Sequence, residues 1–300
     1  MFNHFGTIGK LVSLALITLV CLLIALVVGT AGAMIYAKCS ATTAAQAASD
    51  PNYVRIYQII SSLIIFLIPA LVCAWMFDKS IKEGLYLNAQ TNWKSMLLAL
   101  AAMVTVIPFT AYITEINMQL SLPDCMKGIE EWMRQKEDRA KIITEQMLIT
   151  DNFGIYLYNI IVLALVPAIS EELFFRATLQ KIITQNRPLL AAVVTAVIFS
   201  AFHLQFYGFF PRVLLGFMLG FMIVCTQNIR VSIAAHFLNN FVAVTAYFIK
   251  GSDITNNISD NSAVSISIAI ISAALTTWLL ILLWQKNVKN HSLLKKTENL

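Results

Sequence analysis

Glu171, Glu172 and Arg176 in ISEELFFRATLQ, His203 in IFSAFHLQF, and His236 and Asn240 in IAAHFLNNF are polar or ionisable groups inside otherwise apolar stretches. These residue types do proton transfer and charge stabilisation: a carboxylate or imidazole takes a proton, and an imidazole or carboxamide donates to an oxyanion. An ionisable group near a bilayer centre costs roughly 2.5–3.5 kcal/mol on insertion scales, so such groups are rare there and mark function. Polar residues in three neighbouring apolar stretches point to one buried site.

Spacing divides the roles. Glu172 precedes Arg176 by four residues, the favourable order for an ion pair on one helix face. Neither charge is tolerable alone in apolar surroundings, so each explains the other. Glu171 is rotated by about 100° from Glu172 and addresses a different neighbour. The economical assignment is a structural pair, Glu172–Arg176, that leaves Glu171 as a free carboxylate facing the interior. A packing network without chemistry is the plainer reading of the same three residues.

Phe199 and His203 lie four residues apart, so the phenyl ring shields one side of the imidazole. His236 and Asn240 share a helix face in the same way, and Asn239 is an alternative to Asn240. Pro167 leaves the Leu163 carbonyl without its helical donor and should kink the helix just before Glu171. Such a kink admits water, although packing alone uses prolines too. Gly216 and Gly220 form a small-xxx-small element that allows close helix approach. His4 and His291 fall in the tails and read as solvated.

The elements that must position these groups are membrane helices. The chain has 58% hydrophobic and 12% charged residues, with a mean hydropathy of +0.73, which excludes an ordinary soluble domain. Stretches of about 20 apolar residues occur near 11–37, 56–77, 95–114, 155–180, 188–207, 211–227, 230–249 and 263–285, the sixth being the shortest. The expected fold is an all-α polytopic membrane helix bundle with about eight transmembrane helices. The first apolar run far exceeds the roughly 7–15 residues of a signal-peptide core, so a retained helix is expected.

Lysine and arginine set the orientation. With the N-terminus inside, inner loops and the tail hold Lys79, Lys82, Lys94, Lys181, Arg187, Arg230, Lys286, Lys289, Lys295 and Lys296. Lys38, Arg55, Arg212 and Lys250 fall on outer loops. Both termini are therefore expected in the cytoplasm. The net charge of +5 is juxtamembrane and calls for no nucleic acid.

Between the third and fourth spans, Ile129, Trp132, Met133, Ala140, Ile143 and Met147 recur near helical spacing among Glu130, Glu131, Glu137 and Asp138. This amphipathic helix either lies at the interface with Trp132 at headgroup depth or packs on the protein's outer face. Cys21, Cys73 and Cys225 read as apolar core. Cys39 and Cys125 fall outside, where nothing in their spacing demands a disulfide.

The ordered triple EE-xxx-R (171–176), F-xxx-H (199–203) and H-xxx-N (236–240) resembles the CPBP family of intramembrane proteases. That family includes the type II CAAX prenyl endopeptidases and the bacteriocin-immunity (Abi) proteins. The resemblance covers about residues 153–250. It divides the chain into N-terminal helices with an amphipathic segment (1–152), catalytic helices (153–250), and a last helix with a basic tail (251–300). It implies that Glu171 and His203 activate water, that His236 and Asn240 bind the oxyanion, and that Glu172 and Arg176 support them. Phe199 and Asn239 are the further supporting candidates.

The resemblance also raises zinc, with Glu171, His203 and His236 as ligands, since the family is often labelled metalloprotease. A zinc held by two His and one Glu needs a further base, and Glu172 serves only by leaving Arg176. Metal-free, glutamate-based catalysis is therefore expected. The implied partners are the lipid bilayer and a peptide or protein substrate, lipidated or not, in a bacterial inner membrane. The competing readings are a proton-coupled transporter and a non-catalytic peptide-binding immunity or scaffold protein. One geometric tension stands: His203 lies about 24 Å along its helix from Arg187, but His236 only about 9 Å from Arg230.

Overall fold

The computed structural model describes residues 5–90, 92–183, 187–251 and 266–297, with the side chains of Lys250 and of residues 288–297 left out. His4, the side chain of His291 and the tail lysines Lys289, Lys295 and Lys296 lie outside this description.

All regular structure among the described residues is helical. The long elements are α1 (Thr7–Ser40), α2 (Pro51–Phe77), α3 (Trp93–Met118), α4 (Lys127–Leu148), α5 (Phe153–Ile183), α6 (Pro188–Phe202), α7 (Phe209–Thr226), α8 (Ile229–Lys250) and α9 (Ile266–Thr297). Seven of them, α1, α2, α3, α5, α7, α8 and α9, are long and apolar enough to cross a membrane. The chain is an integral, multi-pass membrane protein. Of the eight expected spans, α6 is the exception: its 15 residues reach only about 22 Å, short of a hydrocarbon core of about 30 Å. Among the seven that qualify, α7, the sixth apolar stretch, is the shortest at 18 residues, as expected.

Local signals set the helix ends. Asp50, Asn92 and Asn152 accept backbone N–H bonds in the first turns of α2, α3 and α5, satisfying donors that a helix start leaves free. Within α5, widened π-helical stretches at Ile160–Leu165 and Leu173–Gln180 flank the turn of Pro167, Glu171 and Glu172. Such stretches often accompany functional sites.

Three apolar clusters hold the bundle together. One joins α3, α7, α8 and α9 through Met103, Met218, Met222 and Leu283. Another joins α1, α2, α5 and α6 through Leu14, Phe77, Phe175 and Phe199. The third ties α2 and α5 to α7 and α8 through Ala70, Ala177, Ile223 and Ile229. Because α5 belongs to two clusters, its polar turn lies at the junction of the bundle's halves.

The glycines of α7 let that junction close. A Cβ at position 216 would stand 3.2 Å from Ala196 Cα, and one at position 220 would stand 2.6 Å from Gln180 Oε1 and 3.1 Å from Ala192 Cβ. The carbonyls exposed by this approach accept from α5: Arg176 Nη2 donates to Gly216 O at 3.2 Å, and Gln180 Nε2 to Gly220 O at 3.0 Å. Gly220→Val should cost about 1–3 kcal/mol by overpacking. Thermal unfolding in detergent checks this, and an unchanged melt would mean that the contact is not tight.

The amphipathic helix α4 packs on the protein. Trp132 meets Phe206 at 5.5 Å between ring centroids, and Arg134 lies 4.7 Å over the Tyr207 ring. Glu137 Oε2 accepts the Tyr207 N–H at 3.4 Å. The helix ends with Met147 and Leu148 buried. Near its start, Glu130 accepts from the Leu122 N–H and from Arg134. These donors hold its carboxyl below the usual carboxylate range. The cysteines are free, with Cys21, Cys73 and Cys225 buried and Cys39 and Cys125 exposed.

Candidate active site

Glu171, Glu172 and Arg176 follow one another on α5, but they face different surroundings. Glu172 and Arg176 have no exposed surface, whereas Glu171 keeps 8% and lines a cavity of about 410 Å³. His203, His236, Asn239, Asn240, Phe199 and Pro167 line the same cavity. The tension between the depths of His203 and His236 is resolved by Phe199. Its ring lies 4.9 Å from one imidazole and 6.0 Å from the other, between centroids.

The expected pair forms, and it is larger than a pair. Arg176 Nη1 approaches Glu172 Oε1 to 3.1 Å. Nη1 and Nε nevertheless lack an aligned hydrogen-bond acceptor, so this contact is an ion pair whose geometry falls short of a hydrogen bond. The face of Phe199 covers the guanidinium at 4.5 Å, a cation–π contact in a dry setting. Glu172 Oε1 also accepts from His236 Nδ1 at 2.9 Å, and Oε2 accepts from the Ser232 hydroxyl. The pair thus has two further partners, and one carboxylate anchors α8 as well as its own helix. Ser232 was missed in the sequence, although Ser232, His236 and Asn240 recur every four residues on one face of α8.

These bonds fix the tautomers. Carboxylates and carbonyls only accept, so the ring nitrogen facing one must carry the proton. His236 Nδ1 thus donates to Glu172, and Nε2 is turned toward Glu171 Oε2 at 3.9 Å. His203 Nδ1 likewise donates to the Phe199 carbonyl at 2.9 Å, which leaves the Nε2 lone pair of a neutral ring free. His203 is itself exposed, just beyond the last residue of α6. Leu204, next in line, takes a left-handed conformation (φ 51°), which stops the helix there.

Residues 153–242 match the family model for type II CAAX prenyl endopeptidases, Rce1-like. This stretch is an Rce1-like domain. No curated protein and no solved structure matches the chain. The Rce1-like domain contains all three motifs, with EE-xxx-R on α5, F-xxx-H on α6 and H-xxx-N on α8.

Pro167 has a specific consequence within the domain. The Leu163 carbonyl that it orphans accepts from Asn240 Nδ2 at 3.3 Å, and Asn240 Oδ1 accepts from Asn239 Nδ2 at 3.1 Å. A carbonyl only accepts, so the Asn240 nitrogen must face Leu163. Asn240 is thus seated by the proline kink, with Asn239 supporting it.

Two arginines assigned to outer loops turn inward, Arg55 buried and Arg212 half-buried. Arg55 is buried, donating to Asn159 Oδ1 at 2.8 Å and to Met147 O at 2.7 Å. Arg212 lines the same cavity as Glu171 and the two histidines. A loop position in the sequence said nothing of either, because helix packing turned both side chains inward.

Proposed function

We propose that the protein is an intramembrane endopeptidase that hydrolyses peptide bonds of membrane-associated substrates, lipidated or not. One observation carries this reading: Glu171, both histidines and Asn240 face one cavity, while the charges that orient them are sealed behind it. The Rce1-like domain supports the same class of chemistry.

In this mechanism Glu171 takes a proton from a water that the His203 Nε2 lone pair helps to orient. The resulting hydroxide attacks the scissile carbonyl carbon. The oxyanion receives hydrogen bonds from His236 Nε2 and Asn240 Nδ2. His236 must then carry both protons, and Glu172 on Nδ1 supplies the counter-charge. Asn240 Nδ2 carries two hydrogens, one for Leu163 and one for the oxyanion. When the C–N bond breaks, the Glu171 carboxyl returns its proton to the leaving amine. A carboxylate withdrawn from bulk water is a stronger base than one in solvent, which suits this role.

The alternative zinc set of Glu171, His203 and His236 fits the side chains poorly. Among the described residues no three His, Cys, Asp or Glu side chains converge to hold a metal ion. Glu172, the base such a site would need, is held by Arg176, His236 and Ser232. No step is therefore routed through a metal. Protein freed of metal by chelation and verified by elemental analysis should keep its activity. Stoichiometric zinc whose removal and return switches hydrolysis off and on would overturn the assignment and make those three residues the ligands.

The termini are proposed to be cytoplasmic. The basic residues gathered on the inner loops and tail, against the fewer on the outer loops, support that orientation. Purified protein in detergent, incubated with a peptide library, tests the function. Cleavage that disappears with Glu171→Gln supports a peptidase, and its absence from wild type under all conditions sinks it.

A further inference from the structure

Arg212 is a cation in the wall of the active-site cavity with no assigned task. It sits in the first turn of α7, where the helix dipole opposes a positive charge, so it is not there to stabilise the helix. Its guanidinium is seated by Gln205, through Nη1 to the backbone carbonyl at 3.3 Å and Nη2 to Oε1 at 2.7 Å. Gly208 makes room for it: a Cβ there would lie 2.9 Å from Nη2. The fork has more donors than these two bonds use.

Among the described residues no carboxylate forms an ion pair with it. The ion pairs among the described residues are Arg134–Glu130, Lys141–Glu145, Arg176–Glu172, Lys181–Asp78 and those of His236 with Glu171 and Glu172. Glu137 and Glu171 are the acidic groups whose charge it feels. Glu137 is engaged with the Tyr207 N–H, and Glu171 faces His236. With His236 carrying both protons, as the mechanism requires, Arg176 and His236 balance Glu172 and Glu171. Glu137 does not line the cavity, so among the lining residues the positive charge of Arg212 has no carboxylate left to balance it.

We infer that Arg212 binds a carboxylate of the substrate, so that the enzyme prefers peptides that place an anionic carboxylate next to the bond it cleaves. The proposal rests on the peptidase reading above. A planar guanidinium matches a carboxylate by paired hydrogen bonds, and a singly charged group is easier to place beside Glu171 than a dianion. Two sources share this chemistry, the α-carboxylate of a C-terminus and an Asp or Glu side chain.

Matched peptides separate them: one sequence as a free C-terminal acid, the same as a C-terminal amide, and amides carrying Asp or Asn near the cleaved bond. Wild type should favour the anionic member of one pair by about tenfold to a hundredfold in KM, the range expected of a hydrogen-bonded charge. Arg212→Gln should erase that preference, and Arg212→Lys should keep part of it. An acid–amide preference identifies the C-terminus, and an Asp–Asn preference identifies a side chain. Binding of the same labelled peptides to Glu171→Gln protein reads the anion site with hydrolysis switched off. If wild type cleaves the neutral peptide yet shows neither preference, or if Arg212→Gln retains the preference, the inference fails and the peptidase reading stands. If no peptide is cleaved, the peptidase reading fails, and the binding arm still decides on Arg212: equal affinity for acid and neutral peptides overturns it.

Discussion

Glu171→Gln protein should fold and insert like wild type but hydrolyse peptide about 10²–10⁴-fold more slowly, the usual worth of a positioned general base. The amide keeps the shape of the carboxyl group, and the approach of Glu171 Oε2 to His236 Nε2, at 3.9 Å, is too long for a hydrogen bond, so little packing is lost. What disappears is the ability to accept a proton. His203→Ala and His236→Ala should be similarly impaired, the first through the water and the second through the oxyanion. Single-turnover cleavage on protein matched for thermal stability is the measurement. Substantial hydrolysis by pure Glu171→Gln protein would remove Glu171 from its role as base.

The largest loss of stability is expected behind the cavity. Glu172→Gln or Arg176→Leu strands a fully buried charge, a change that typically costs about 3–5 kcal/mol. Arg176→Leu leaves the Gly216 carbonyl without its donor and removes the cation over Phe199. Glu172→Gln also loosens His236 and Ser232, so activity should fall along with stability. Removing both partners abolishes the unpaired charge, and the double variant should be less damaged than the sum of the singles. Its activity should stay low, because His236 has still lost the carboxylate on Nδ1. Simple additivity in a thermal-melt double-mutant cycle would contradict the pair.

Much of this architecture is legible in one dimension. Apolar runs long enough to span a bilayer announce an all-helical membrane bundle, because lipid leaves backbone groups no partner except their own helix. Four-residue spacing announces which side chains share a helix face, since each residue turns the helix by about 100°. That is why Glu172–Arg176 and the stripe containing His236 and Asn240 are visible in the sequence. Pro167 names the orphaned carbonyl in advance, because the residue four before a proline always loses its donor.

What the sequence alone could not say is which faces meet. That Glu172 reaches across to His236 and Ser232, and that Asn240 fills the place left by Pro167, depends on the approach of α8 to α5. The length of α6 was overestimated because hydropathy carries on through His203 while the backbone stops at a left-handed Leu204. Arg55 and Arg212 were counted as loop charges because a sequence shows distance from an apolar run, not the direction of a side chain. Only packing, with Gly208 leaving space for one guanidinium and Asn159 and Met147 receiving the other, turned them inward.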